Sequence, residues 1–233
     1  MFDIGVLVQQ VEGAAPLIPV WFYLFSSLAY GLAALISLFV SYFSFKLYKT
    51  SNIKSHRNLS LVFASLFVAY SILTFTSMYT YFYHPYLRNV YIPLLSKYLS
   101  LGEVNTTGYG LFYLASLTAY ALLFLMHLPE KKRILPVLFV PIWYVDLNEF
   151  HAIAIILLGY VAIKTFANFL KVRSLNSFLV FFSFLMLTSF HLFLILISFN
   201  ALWYLAAHSF LLIGFSSLLF TLIRVNRSGR KKK

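Results

Sequence analysis

Cysteine is absent from this chain of 233 residues. That absence removes disulfides, thiolate metal centres and cysteine nucleophiles from consideration. Charge is scarce too: only 10% of residues are charged and six are acidic, against 61% hydrophobic. An ordinary soluble globule is excluded by that balance. The net charge of +12 does not point to nucleic acid, because the basic residues form short clusters at the ends of apolar runs and never build a polar domain. A basic leader is missing as well. Residues 1–19 carry Asp3 and Glu12 where a signal peptide would carry lysine or arginine, so they are expected to remain as an outer interfacial segment, closed by Pro16 and Pro19.

What is present is a succession of apolar runs, each near the roughly 20 residues that a helix needs to cross a bilayer core of about 30 Å. The pattern predicts an all-α, polytopic integral membrane protein with a single bundle of seven transmembrane helices. The expected spans are 20–48, 59–82, 106–128, a short fourth between Arg133 and Asp146, then 150–170, 177–199 and 202–223. Pro136 and Pro141 interrupt the fourth, where about fourteen residues of helix rise only about 21 Å. Residues 83–105, rich in tyrosine and holding Pro85 and Pro93, read as an outer interfacial loop. Residues 225–233 read as a basic inner tail.

Lysine and arginine mark one side, with only Arg88 and Lys97 opposite. They close spans one, three, five and seven, whereas Asp3, Glu12, Glu103, Asp146 and Glu149 fall on the other side. The positive-inside rule therefore puts the amino terminus outside and the carboxy terminus inside, most naturally in the cell membrane. The expected partners are the lipid bilayer and a membrane or inner-side protein contacted through the inner loops or the basic tail. Asn105-Thr106-Thr107 is an outer-side glycosylation triplet.

Polar side chains within a bilayer turn away from lipid, so their spacing reports the inner face. Tyr23, Ser27, Tyr30, Ser37 and Ser41 share one stripe of the first span; Tyr70, Thr74, Ser77 and Tyr81 mark the second; Tyr109, Tyr113, Ser116 and Tyr120 mark the third. The stripes fit interhelical hydrogen bonding or the lining of a ligand cavity. Candidate ligand-binding residues are Tyr70, Thr74, Ser77, Tyr113, Tyr120, His191 and His208. Lys164 is the one cation well inside a span, and its long stem suits snorkelling to the inner headgroups. A retinal Schiff base is excluded, since the seventh span has no lysine before Arg224 and no carboxylate lies at mid-membrane.

The last hairpin carries one histidine per span, His191 and His208, at matching depth on either side of the turn 198–201. His151, near the start of the fifth span, belongs to the same outer layer, with Asp146 and Glu149 nearby. Imidazole and carboxylate ligands suit a divalent metal such as zinc, so His151, His191, His208, Asp146 and Glu149 form the candidate metal set. Haem between the paired histidines is disfavoured, because neighbouring helices pack only about 8–10 Å apart. No catalytic set is complete. The leading expectation is a non-enzymatic membrane protein that binds a small ligand or ion from the outer side, as a sensor, carrier or subunit of a membrane complex. The alternative is a membrane-embedded, metal-dependent hydrolase with a three-histidine site and Asp146 or Glu149 as general base.

Overall fold

The structure, a computed structural model, describes residues 21–83, 101–128, 147–198 and 202–230. These residues form six helices: α1 Trp21–Ser51, α2 Lys54–Tyr83, α3 Leu101–His127, α4 Leu147–Val172, α5 Leu175–Ile195 and α6 Leu202–Arg230, with a 3-10 turn, Leu196–Ser198, after α5. All six are long and apolar enough to cross a membrane. They correspond to the first, second, third, fifth, sixth and seventh expected spans. The expected fourth span, the segment 1–19 and the turn residues 199–201 lie outside the described residues.

The helices form a closed ring in chain order. Each packs on the next, and α6 returns to α1. Side-chain pairs give the directions. Ser41 meets Ser60 while Ser27 meets Thr74, so α1 and α2 are antiparallel. Ser65 meets Ala115 while Thr80 meets Asn105, so α2 and α3 are antiparallel as well. The joint between α3 and α4 differs. Tyr113 stacks on Phe150 and Phe124 packs on Tyr160, so the two helices advance together and run parallel. The α6–α1 joint is also parallel, with Tyr204 against Phe22 and His208 against Tyr30. With these directions Lys49, Lys54, Lys171, Arg173, Arg224 and Arg227 gather at one end of the ring, the basic end.

The ring is inside-out relative to a soluble protein. Leu28, Leu32, Leu35, Phe39 and Tyr42, at helical spacing on α1, are exposed, while Ser26, Ser37 and Ser44 on the same helix are fully buried. Such a surface is stable only against hydrocarbon. Small residues let the axes approach. A β-carbon on Gly214 of α6 would stand 3.1 Å from the Ser183 carbonyl of α5, so those backbones are nearly in contact. Serines tie the helices together: Ser41 Oγ donates to the Ser60 carbonyl at 2.9 Å, and Ser65 Oγ donates to the Ala115 carbonyl at 2.8 Å.

Several boundaries move from the sequence expectation. The connection between α1 and α2 shrinks to Asn52 and Ile53, because Asn52 takes a left-handed φ of 56° and its N–H closes the helix end on the Tyr48 carbonyl at 2.8 Å. Asparagine tolerates that conformation. Arg173 ends α4 the same way, with φ 49° and a 2.8 Å bond from its N–H to the Phe169 carbonyl. Ser174 and Ser177 then form a capping box that starts α5. The interfacial loop expected over 83–105 gives way to helix at Leu101. Asn105 is therefore inside α3, where its side-chain oxygen accepts from the Thr80 hydroxyl at 2.9 Å. The tail expected from 225 continues α6 to Arg230, since nothing between Arg224 and Ser228 breaks a helix.

Candidate functional site

Among the described residues, the buried histidines of the ring's interior fall in two groups. The first crosses four helices. His151 comes from the second turn of α4, at the end opposite the basic one, and His191 from the last turns of α5. Antiparallel packing brings their Nδ1 atoms to 2.8 Å. His191 Nε2 meets the Tyr120 hydroxyl of α3 at 3.0 Å, and Tyr120 meets the Tyr70 hydroxyl of α2 at 3.4 Å. His191 and Tyr70 are fully buried, and His151 and Tyr120 nearly so. The chain runs through a casing of rings: Phe150 and Phe190 flank the histidines, and Phe112 and Phe215 flank Tyr70.

A carbonyl oxygen only accepts and a lysine ammonium only donates, whereas a neutral imidazole and a phenol each do both. Every interior member of this chain thus has one bond in which it gives and one in which it takes. An unpaired buried nitrogen or hydroxyl costs about 1–3 kcal/mol, and the bonds among these four buried side chains offset that cost.

The second group surrounds His208 of α6. Its Nδ1 lies 2.8 Å from the Tyr204 carbonyl one turn earlier. A carbonyl can only accept, so Nδ1 carries the proton and Nε2 of the neutral ring is a lone pair. That lone pair is buried, and among the described residues it has no partner. The rings of Phe25, Tyr30, Phe190 and Tyr204 pack around the imidazole. The Tyr204 hydroxyl in turn bonds Ser26, which donates to the Phe22 carbonyl at 2.7 Å.

Four of the seven candidate ligand-binding residues fall in these two groups. Tyr70, Tyr120 and His191 belong to the hydrogen-bond chain. Thr74, half-buried, spends its hydroxyl on the Tyr70 carbonyl at 2.7 Å. Ser77 is buried on α2, and Tyr113 is buried against Phe150. His208 stands apart with Tyr30 and Tyr204. Of the candidate metal set, His151 and His191 come together, but their facing nitrogens bond each other. His208 lies beyond Phe190; Glu149 is exposed on the first turn of α4, and Asp146 lies outside the described residues. Among the described residues no three histidine, aspartate or glutamate side chains converge on a metal-binding geometry. A groove of about 290 Å³ between α4 and α5, floored by Gly159 and edged by Phe166 and Leu185, opens outward and is wholly apolar.

Tyr120 and Tyr204 complete the two groups. Tyr120 is signalled in the sequence by its stripe with Tyr109, Tyr113 and Ser116. Tyr204 carries only a helical offset of four from His208, a spacing at which a ring nitrogen reaches the preceding turn's carbonyl.

No protein-family model, curated protein or solved structure matches the chain. Fold and site together define its class: a polytopic helical membrane protein with a buried histidine–tyrosine interior.

Proposed function

We propose that the chain is a seven-crossing protein of the cell membrane, amino terminus outside, that binds a small ligand or ion from the outer side as a sensor, carrier or subunit of a membrane complex. The observation that carries the binding reading is His208 Nε2, a buried lone pair without a partner among the described residues. Leaving such an acceptor unpaired costs about 1–3 kcal/mol, and a ligand that donates to it or coordinates it recovers that cost. The aromatic rings around it favour a ligand with a flat or apolar body and one donor group, or a soft divalent ion. His208 lies in the second turn of α6, in the half of the bundle remote from the basic end, so entry is from that side. The inner surface, with Arg224, Arg227 and the basic residues beyond, is the place for a protein partner or anionic lipid.

The seventh crossing is supported by the parallel joint. The consecutive described helices α3 and α4 run in the same direction, which fits one further crossing between them in the sequence, the expected fourth span. The basic end is the inner one by the positive-inside rule.

The alternative, a metal-dependent hydrolase, requires His151 and His191 to give up the bond between their facing nitrogens and His208 to approach past Phe190. Ligand binding at His208 requires neither. Native mass spectrometry with elemental analysis, on wild type and His208→Phe purified into nanodiscs, tests the reading. A small molecule or divalent ion should be retained by wild type and depleted about tenfold or more in the variant, the consequence of losing about 1.4 kcal/mol. Wild type that retains nothing, or equal retention by both proteins, contradicts it.

A further inference from the structure

The chain from His151 to Tyr70 has a hydrogen-bond sequence separate from that of the His208 group and a property of its own. Its three hydrogen bonds are coupled in sense. If His151 Nδ1–H donates to His191 Nδ1, then His191 carries its proton on Nε2 and donates to the Tyr120 oxygen, leaving the Tyr120 hydroxyl to donate to Tyr70. If His191 Nδ1–H donates to His151, every bond reverses. Only these two arrangements satisfy all three contacts of 2.8, 3.0 and 3.4 Å.

We propose that His151, His191, Tyr120 and Tyr70 form a proton relay leading from the non-basic end of the bundle to its middle. His151 stands four residues past Leu147, at the α4 terminus. Tyr70 sits near the midpoint of α2, walled by Phe112, Phe215 and Tyr30. One passage advances each proton of the chain by one place. His151 takes a hydrated proton on Nε2 and passes its Nδ1 proton to His191 Nδ1. His191 passes its Nε2 proton to the Tyr120 oxygen, Tyr120 passes its own hydroxyl proton to the Tyr70 oxygen, and Tyr70 releases its former proton to a water or basic ligand at the bundle centre. No side chain is left charged, and the chain ends in the reversed sense. Toward the basic end the buried hydroxyls of Ser41 and Ser60 bond each other, and along α2 the apolar Val62, Phe63 and Leu66 lie between Ser60 and Tyr70. The relay thus serves one side, loading the interior without joining the two faces.

Among the described residues, the groups facing the histidine pair include Tyr120 from α3, Phe150 from α4 and Phe190 from α5, with His208 of α6 beyond Phe190. The test is magnetic resonance of full-length protein in nanodiscs with isotope-labelled histidine ring nitrogens, comparing wild type, Tyr120→Phe and Tyr70→Phe. Wild type should show both tautomers at His191 and at His151, in matching proportions. Tyr120→Phe removes the hydroxyl that His191 Nε2 bonds and should shift the tautomer ratio at His151, two groups away, by about threefold, the net effect of one neutral hydrogen bond. Tyr70→Phe should shift it in the same sense by less, and should leave His208 unchanged. A single fixed tautomer at each histidine of wild type overturns the relay. So does a His151 ratio that is the same in wild type and in folded Tyr120→Phe protein.

Discussion

Replacing Tyr120 with phenylalanine removes one oxygen from the centre of the bundle and barely changes the volume of the ring. The hydroxyl stands 3.0 Å from His191 Nε2 and 3.4 Å from the Tyr70 hydroxyl. The longer contact is weak by geometry, so the cost is dominated by His191, whose Nε2 is left buried and unpaired. In water-soluble proteins such a group costs about 1–3 kcal/mol; interhelical hydrogen bonds in membranes average roughly 0.6 and reach about 1.7 kcal/mol. Tyr120→Phe is therefore expected to destabilise by about 1–1.5 kcal/mol. His191→Phe removes both ring nitrogens and orphans His151 Nδ1, for a similar cost. The double variant no longer contains the unpaired Nε2, so its cost should fall short of the sum by about 1 kcal/mol. Reversible unfolding in mixed micelles of rising denaturing-detergent content measures all four proteins. Additive costs, or a Tyr120→Phe protein as stable as wild type, would refute the bonded chain.

The remaining expectations concern the frame around it. A β-carbon at Gly108 would collide with the Thr76 side chain of α2, whereas at Gly110 it would meet nothing within 4 Å. Gly108→Ala should therefore destabilise by about 1–3 kcal/mol through overpacking, and Gly110→Ala should stabilise by up to about 1 kcal/mol through helix propensity, both read from the same unfolding curves. Arg173 holds a left-handed φ of 49°, a conformation that costs a residue with a β-carbon about 1–2 kcal/mol. Arg173→Gly should raise stability by roughly 1 kcal/mol; a loss of stability would mean that the arginine side chain matters more than its backbone.

The six described helices were legible because lipid imposes its own pattern: runs of leucine, isoleucine and phenylalanine with serine and tyrosine at helical spacing. Stripe residues such as Ser27, Ser37, Tyr70 and Tyr120 do face inward. The ends were less legible, since Asn52 and Arg173 stop helices with a backbone conformation rather than a glycine or proline signal. The histidines show where one-dimensional reasoning gives out. Depth along the chain places His151, His191 and His208 in one layer, but the contact depends on which flank of its helix each side chain leaves. His191 leaves α5 toward α4 and α3, while His208 leaves α6 toward α1. Hairpin neighbours in sequence thus end in separate groups, with Phe190 between them. The closed order of the ring, and the parallel joint of α3 with α4, rest on long-range packing that no local periodicity encodes.

The buried chain stands or falls on His191 being bonded at both ring nitrogens inside the bundle, to His151 on one side and to Tyr120 on the other. Its most direct test is a magnetic-resonance measurement of nitrogen–nitrogen coupling across the hydrogen bond between His151 and His191, in labelled protein held in a bilayer. The expected result is a correlation linking the two Nδ1 atoms, separated by 2.8 Å, that disappears in His151→Asn. Two uncoupled imidazoles in a folded wild-type protein would contradict it.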